Sequence, residues 1–222
     1  MVRAVVFDMD GVIFDSEKLY RKHWKISAQE NNLPMDIMEG LLDKIAGATK
    51  ERNERLMKDH FGEDFDYMKF RTLTMNRMDE DIRINGVELK PGVFELLDYL
   101  KDNGYKIALA TSTQKERAEG NLTRAGVIDY FDGIMYGGIV PHGKPAPDIY
   151  EYACELIDVK PEEAIGVEDS INGLKSSHAA GLYTVMVVDL IKPNDEAREN
   201  ADMICESLFD VRDYLETLHD KR

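Results

Sequence analysis

Residues 2–17 read VRAVVFDMDGVIFDSE, and this stretch decides the fold. The run Val2–Phe7 is short and apolar, a pattern that is typical of a strand buried in a parallel sheet. Asp8 and Asp10 follow it immediately, where a loop is expected. The sequence therefore predicts a buried first strand with two carboxylates just beyond its carboxyl end.

The remaining chain has two different patterns. In residues 16–85, apolar residues recur at helical spacing and no convincing strand pattern interrupts them. From residue 86 onward, short apolar strands alternate with helices that are ended by glycines. The predicted strands are Lys106–Ala110, Gly133–Tyr136, Ala164–Val167, Tyr183–Val188 and Met203–Cys205. The predicted helices are Val93–Asn103, 115–125, Pro147–Ile157, Ile171–Ala180 and Leu208–Leu218.

This alternation predicts the fold class. Strands that alternate with helices favour an α/β fold with a doubly wound, Rossmann-like parallel sheet covered on both faces. The simplest place for the helical block is a small α-helical cap domain inserted after the first strand. We therefore expect an α/β core over residues 1–15 and 86–222 and a helical cap over residues 16–85.

Composition excludes several classes of protein. The chain has 222 residues, 43% of them hydrophobic and 32% charged, an ordinary mixture for a soluble globular protein. Its net charge of −15 argues against nucleic acid and anionic membranes as partners. The apolar run at the N-terminus is short and is followed at once by Asp8, which argues against a signal peptide. Cys154 and Cys205 lack the spacing of metal ligands. We expect a cytoplasmic protein with reduced thiols that is a monomer by default.

Polar residues collect at the predicted strand ends. Ligands of open parallel sheets bind beyond the carboxyl ends of the strands, so residues just after the strands are the candidates for a site. Carboxylates, hydroxyls and one lysine occupy these positions. They are Asp8, Asp10, Thr111, Ser112, Lys144, Glu168 and Asp169. This grouping suits a magnesium ion and a phosphoryl group.

The carboxylates suit three tasks in phosphoryl transfer. Magnesium prefers oxygen ligands, which Asp8, Asp169, Glu168 and the Asp10 carbonyl could supply. An aspartate such as Asp8 is a known nucleophile that forms an aspartyl phosphate. Crowded carboxylates push one pKa up, so a protonated Asp10 would donate to the leaving oxygen and later activate water.

The remaining polar residues suit the phosphate itself. Thr111, Ser112 and the amides near them would bind its nonbridging oxygens. The negative charges of nucleophile and phosphate repel each other, and Lys144 together with the metal would mask that repulsion.

Four segments resemble the motifs of the haloacid dehalogenase (HAD) superfamily, specifically its β-phosphoglucomutase-like phosphatases with a helical cap. They are residues 6–17 (VFDMDGVIFDSE), 108–112 (ALATS), 143–148 (GKPAPD) and 166–173 (GVEDSING). The resemblance covers essentially the whole chain. Because the dehalogenase and phosphonatase branches lack the second aspartate, Asp10 points to phosphate-ester chemistry.

The resemblance also implies a role for each motif residue. Asp8 would be the nucleophile and Asp10 the acid and base, while Thr111 and Lys144 would bind phosphate. Asp8, the Asp10 backbone and Asp169 would bind Mg²⁺, and Glu168 matches a position that sometimes helps the metal.

Two enzyme activities remain open. In the sugar mutases of the family, a histidine after the first motif and an arginine in a cap loop hold a distal phosphate. The aligned residues here are Tyr20 and, at the end of the loop 44–50, Lys50; Arg71 is a further candidate cation. Lysine does not bind phosphate bidentately as arginine does, so both departures favour hydrolysis.

We therefore expect a Mg²⁺-dependent phosphatase acting on a small phosphorylated metabolite, with a sugar phosphate as the expected class. The alternatives are a β-phosphoglucomutase and, more remotely, a non-catalytic binding protein on the same scaffold. Cap residues set the substrate, and the sequence does not identify it.

Overall fold

A computed structural model describes residues 1–45, 50–189 and 192–219 of the chain. The strands run over β1 Ala4–Phe7, β2 Lys106–Ala110, β3 Gly133–Met135, β4 Ala164–Glu168, β5 Tyr183–Val187 and β6 Met203–Cys205. The first helices are α1 Ser16–Glu30, α2 Met35–Ile45, α3 Lys50–Phe61 and α4 Tyr67–Asn85. The later helices are α5 Val93–Asp102, α6 Lys115–Arg124, α7 Asp148–Leu156, α8 Ile171–Ala179, α9 Asp195–Asn200 and α10 Leu208–His219.

Within the described residues, six strands form one parallel sheet in the order β3-β2-β1-β4-β5-β6. Val6 of β1 pairs with Ala108 on one side and with Gly166 on the other. Because β1 lies between β2 and β4, the strand order reverses beside it, and this reversal is where open α/β sheets bind ligands. The predicted doubly wound α/β fold is confirmed.

Helix α7 covers one face of the sheet. Its buried residues are Ile149, Tyr150, Ala153 and Cys154. They pack in one apolar cluster with alternate residues of the central strands, Ala4, Val6, Ala108 and Ala110. Side chains alternate between the faces of a strand, so every second residue of β1 and β2 meets α7. The cluster fixes α7 against the middle of the sheet.

The chain divides into two compact units, one comprising Met1–Asp15 with the residues from Glu88 onward and the other Ser16–Val87. The second unit contains α1 to α4 and has an apolar centre of its own. Trp24 lies fully buried there and packs against Phe70, with ring centroids 5.4 Å apart. Helix α4 begins where Asp66 accepts a hydrogen bond from the Lys69 amide at 3.0 Å, an N-cap that satisfies one backbone donor.

None of the helices described here is both long and apolar enough to cross a lipid bilayer.

Candidate active site

Three carboxylates meet at the carboxyl edge of the sheet. Asp8 follows β1 directly, Glu168 is the last residue of β4, and Asp169 comes next. Because β1 and β4 are neighbours in register, with Phe7 opposite Val167, their ends coincide. One oxygen from each carboxylate lies within 4.8 Å of the others. The structure thus brings together the aspartate of the first motif and the Glu-Asp pair of the fourth.

Lys144 lies between two of these carboxylates. It belongs to the long connection from β3 to α7, and its side chain is only 7% exposed. The ammonium Nζ donates to Asp8 Oδ1 at 2.5 Å and to Glu168 Oε1 at 2.6 Å. A loop residue with no regular structure around it is therefore placed in the site by two charged contacts.

Burial and like charge set the electrostatics of the site. Burial, opposed by Lys144 and assisted by Glu168 and Asp10, raises the pKa of Asp8 to about 7. Burial and the charges of Glu168 and Asp8 also raise the pKa of Asp169 well above its usual value. Burial would lower the pKa of Lys144, but Asp8 and Glu168 together raise it. The cluster holds more negative charge than one ammonium compensates.

Gly11 lets the first loop approach the fourth motif closely. Its φ is +85°, a conformation that residues with a Cβ rarely adopt. A Cβ built at this position would lie 2.2 Å from Asp169 Oδ2. Glycine is therefore required here both for its backbone angle and for the absence of a side chain, and Asp169 occupies the space that this absence leaves.

Asp10 is exposed and is held by the loop after β2. Its Oδ2 accepts a hydrogen bond from Thr113 Oγ1 at 2.8 Å. The buried Thr111 lies at the start of the same loop, and its Oγ1 accepts from the Thr113 amide at 3.0 Å. Ser112, between them, is exposed. The loop after β2 therefore borders the first loop. Thr113 links the two loops, and Thr111 stabilises the turn that presents Thr113.

The residue pattern does not predict two contacts in the site. Thr113 donates to Asp10, and Tyr150 Oη donates to Glu168 Oε1 at 2.8 Å. Thr113 carries a weak signal, because a hydroxyl two residues after Thr111 can reach the same edge. Tyr150 carries none, since a tyrosine at a helical apolar position reads as core. Both contacts depend on how a loop or helix is rotated, which the residue pattern does not specify.

The residues proposed for the cap lie apart in sequence within the helical unit. Tyr20 on α1 is partly buried and its ring lies 5.2 Å from that of Trp24. Burial, with Tyr67 and Glu17, raises the pKa of Tyr20, and Arg71 on α4 acts against them. The charge of Arg71 therefore acts on the Tyr20 hydroxyl. Lys50 begins α3 and is exposed, and residues 46–49 of its loop lie outside the described residues.

The carboxylate cluster fits a divalent cation. Hard cations take carboxylate oxygens, and a magnesium site uses one or two carboxylates together with substrate phosphate. Asp8 and Asp169 have raised pKa values because their charges are buried close together, which is the situation that a bound dication relieves. The residues present therefore match the metal that the four motifs imply.

Fold and site together define a doubly wound α/β protein with an acidic site at its strand switch. Residues 2–181 match the family of haloacid dehalogenase-like hydrolases, and this range contains all four motif segments. The chain belongs to the haloacid dehalogenase-like hydrolases, which confirms the resemblance inferred from its motifs.

Similar proteins include both phosphatases and mutases. The phosphorylated carbohydrates phosphatase of Thermotoga maritima is 33% identical over 188 residues, covering 83% of this chain and 84% of that protein. The β-phosphoglucomutase of Bacillus subtilis is 28% identical and covers 99% of this chain and 95% of its own length. A crystal structure of a HAD family hydrolase from Deinococcus radiodurans, with bound phosphate and sodium, superposes with a TM-score of 0.79 at 25% identity; it covers 96% of this chain and 95% of that one.

Proposed function

We propose that this protein is a Mg²⁺-dependent phosphatase that hydrolyses a small phosphorylated metabolite, with a sugar phosphate as the substrate class. The observation that carries the proposal is the bridge that Lys144 makes from Asp8 to Glu168, beside Asp169. A buried ammonium on a buried carboxylate is the arrangement required to bring an anionic nucleophile to an anionic phosphate. A relative that acts on phosphorylated carbohydrates, by its name, supports the substrate class.

In this proposal Asp8 attacks phosphorus and the bond to the leaving alcohol breaks, giving an aspartyl phosphate. Asp10 gives its proton to the leaving oxygen, so the alcohol departs neutral. Asp10 then takes a proton from water, whose oxygen attacks phosphorus and releases phosphate and the Asp8 carboxylate. Thr113 Oγ1 holds Asp10 by the 2.8 Å hydrogen bond to its carboxylate during both proton transfers.

The other residues bind and orient the phosphate. Lys144 would donate to a nonbridging oxygen while it keeps its contacts to Asp8 and Glu168. Thr111 and Ser112 would contribute hydroxyl and amide donors from the loop after β2. Asp8, the Asp10 carbonyl and Asp169 would hold Mg²⁺, with Glu168 in support; when bound, the metal masks phosphate charge as a Lewis acid.

We propose that the helical residues 16–85 act as the cap that selects the substrate, with the α/β core over 1–15 and 86–222. Tyr20, Lys50 and Arg71 are its candidate substrate contacts. The second candidate function is a β-phosphoglucomutase activity, which is favoured by the 28% identity to the Bacillus subtilis mutase over nearly the whole chain. Against it, Tyr20 and Lys50 stand where the sugar mutases of the family have a histidine and an arginine.

A panel of phosphorylated metabolites, assayed for phosphate release with Mg²⁺ and with EDTA, tests the proposed function. We expect Mg²⁺-dependent release from at least one sugar phosphate. The panel includes β-glucose 1-phosphate with a bisphosphate primer, coupled to detection of glucose 6-phosphate. If glucose 6-phosphate forms faster than free phosphate, the mutase is the correct function; if no compound is turned over, the non-catalytic alternative is.

Gly11→Ala is expected to reduce phosphatase turnover by about 100-fold, because a Cβ 2.2 Å from Asp169 Oδ2 displaces a metal ligand. Steady-state rates and Mg²⁺ titration measure the effect, and the Mg²⁺ requirement should rise with it. Gly104→Ala is the matched control: Gly104 also has a positive φ, +72°, but nothing lies within 4 Å of its would-be Cβ. Equal losses in the two variants would show that backbone strain, and not contact with Asp169, causes the effect.

A further inference from the structure

Tyr150 carries a hydroxyl into the apolar core. Its side chain is fully buried in the cluster that joins α7 to the sheet, where Ile149, Ala153 and Cys154 are its helix neighbours. A buried tyrosine needs a hydrogen-bond partner for its hydroxyl. That partner is Glu168, whose Oε1 accepts from Tyr150 Oη at 2.8 Å.

Glu168 is held on all sides by groups of the protein. Oε1 accepts from Lys144 as well as from Tyr150, and Oε2 is within 3.3 Å of both the Asp169 amide and Ser170 Oγ. Helix α8 closes the remaining side, since a Cβ built on Gly173 would lie 1.9 Å from the Glu168 carboxyl carbon. A carboxylate with donors on both oxygens has one position, and whatever it binds is fixed with it.

Lys144 is therefore held by a fixed anchor. Tyr150 contacts this lysine too: the ammonium lies 5.1 Å from the centre of its ring. A lysine ammonium has three donors. Among the described residues, Asp8 and Glu168 each accept one of them, which leaves the third for a phosphate oxygen.

We propose that Tyr150 is a positioning residue for the phosphate site: by donating to Glu168 Oε1 and packing under Lys144, it keeps the lysine shared between Glu168 and Asp8. Without the hydroxyl, Lys144 would be the sole donor to Oε1 and would be drawn toward Glu168, away from Asp8 and the phosphate. This inference rests on the proposed function, in which Lys144 binds phosphate.

Tyr150→Phe tests the inference, because it removes one oxygen and keeps the ring. We expect the Kd for inorganic phosphate, measured by calorimetry at saturating Mg²⁺, to rise about tenfold, the effect of one lost hydrogen bond to a charged group. KM should rise with it, while kcat changes less. Tyr130→Phe is the matched control. Tyr130 Oη also donates to a carboxylate, that of Asp98 at 2.5 Å, but it precedes the amino end of β3, whereas the phosphate site lies beyond the carboxyl ends of the strands.

A purely structural role predicts a different result. In that case Tyr150→Phe lowers the unfolding temperature but leaves the phosphate Kd and KM of the folded protein unchanged, and the proposal is wrong. A double-mutant cycle with Glu168→Ala, which removes the acceptor altogether, adds a second test. If Tyr150 acts through Glu168, the double variant binds phosphate no more weakly than Glu168→Ala alone; additive losses would contradict this.

Two outcomes separate this inference from the proposed function. Wild-type protein that binds phosphate, with binding unaffected by Tyr150→Phe, overturns only the role of Tyr150. Wild-type protein that binds no phosphate with Mg²⁺ overturns the proposed function and this inference with it. Should Tyr150→Phe fail to fold, Glu168→Ala removes the acceptor of the Tyr150 hydroxyl, and unchanged phosphate binding in that variant also overturns the proposal.

Discussion

Asp8→Asn abolishes phosphate release: we expect turnover to fall on the order of 10⁵-fold, to background, as when a nucleophile is removed from a catalytic unit. An amide does not attack phosphorus. Glu168, the other carboxylate that contacts Lys144, is fully buried and already accepts from Tyr150, so it does not replace Asp8. Steady-state phosphate release at high enzyme concentration, with substrate in still larger excess, measures a loss of this size.

The same variant should not lose stability in metal-free buffer. Burial raises the pKa of Asp8 to about 7 in the folded state, above its usual value of 3.8. The ionised form is thus disfavoured by folding, and its cost develops as the pH rises from the lower value through the higher. At pH 8 with EDTA, Asp8→Asn should unfold at the same temperature as wild type or higher.

A control variant separates the loss of activity in Asp8→Asn from any general effect of replacing an aspartate by asparagine. Asp158→Asn makes the same chemical change beyond α7, at a residue whose positive φ of 55° asparagine tolerates. It should leave activity unaltered. An Asp8→Asn protein that still turns over substrate above background removes Asp8 as the nucleophile.

Lys144→Met has the second largest expected effect. It leaves Asp8 and Glu168 buried without their cation, and breaking a buried ion pair costs about 3–5 kcal/mol. Phosphate binding should fall by about 100-fold or more, because a charged donor to the phosphate is lost. Urea unfolding and phosphate calorimetry measure the two effects.

Mg²⁺ distinguishes the role of Lys144 as the cation paired with Asp8 and Glu168 from its role as a phosphate ligand. The variant site carries more uncompensated negative charge, so Mg²⁺ should stabilise Lys144→Met against urea by more than it stabilises wild type. Arg3→Met is the control, as its guanidinium pairs with Glu163 at 3.1 Å just before β4 begins. If Lys144→Met binds phosphate as wild type does, Lys144 is not a phosphate ligand.

The sequence predicted the site best where strand geometry determines it. Asp8, Thr111 and Glu168 each end or directly follow a strand of a parallel sheet, and the carboxyl ends of such strands meet at one edge. Glu168 is itself the last residue of β4, one residue beyond the predicted strand end. Because alternation and strand length are local properties, a single sequence is sufficient to predict them.

Lys144 was harder to place, because it is nine residues beyond the end of β3. No periodicity predicts the path of so long a connection. The buried carboxylates of Asp8 and Glu168 and the ring of Tyr150 hold the lysine in the site. Tyr150 was not found at all, since hydrophobic and hydrogen-bonding tyrosines give the same helical pattern. The substrate contacts proposed for the helical unit are harder still to predict: Tyr20, Lys50 and Arg71 lie on three helices, and their roles stay predictions.

The most direct test of the central claim is a crystal structure of the protein with Mg²⁺ and beryllium fluoride, a mimic of a phosphoryl group on aspartate. We predict fluoroberyllate on the Asp8 carboxylate, with Lys144 and Thr111 as its ligands and the cation between Asp8 and Asp169. An anion bound elsewhere, with Lys144 contacting neither it nor Asp8, would contradict the account.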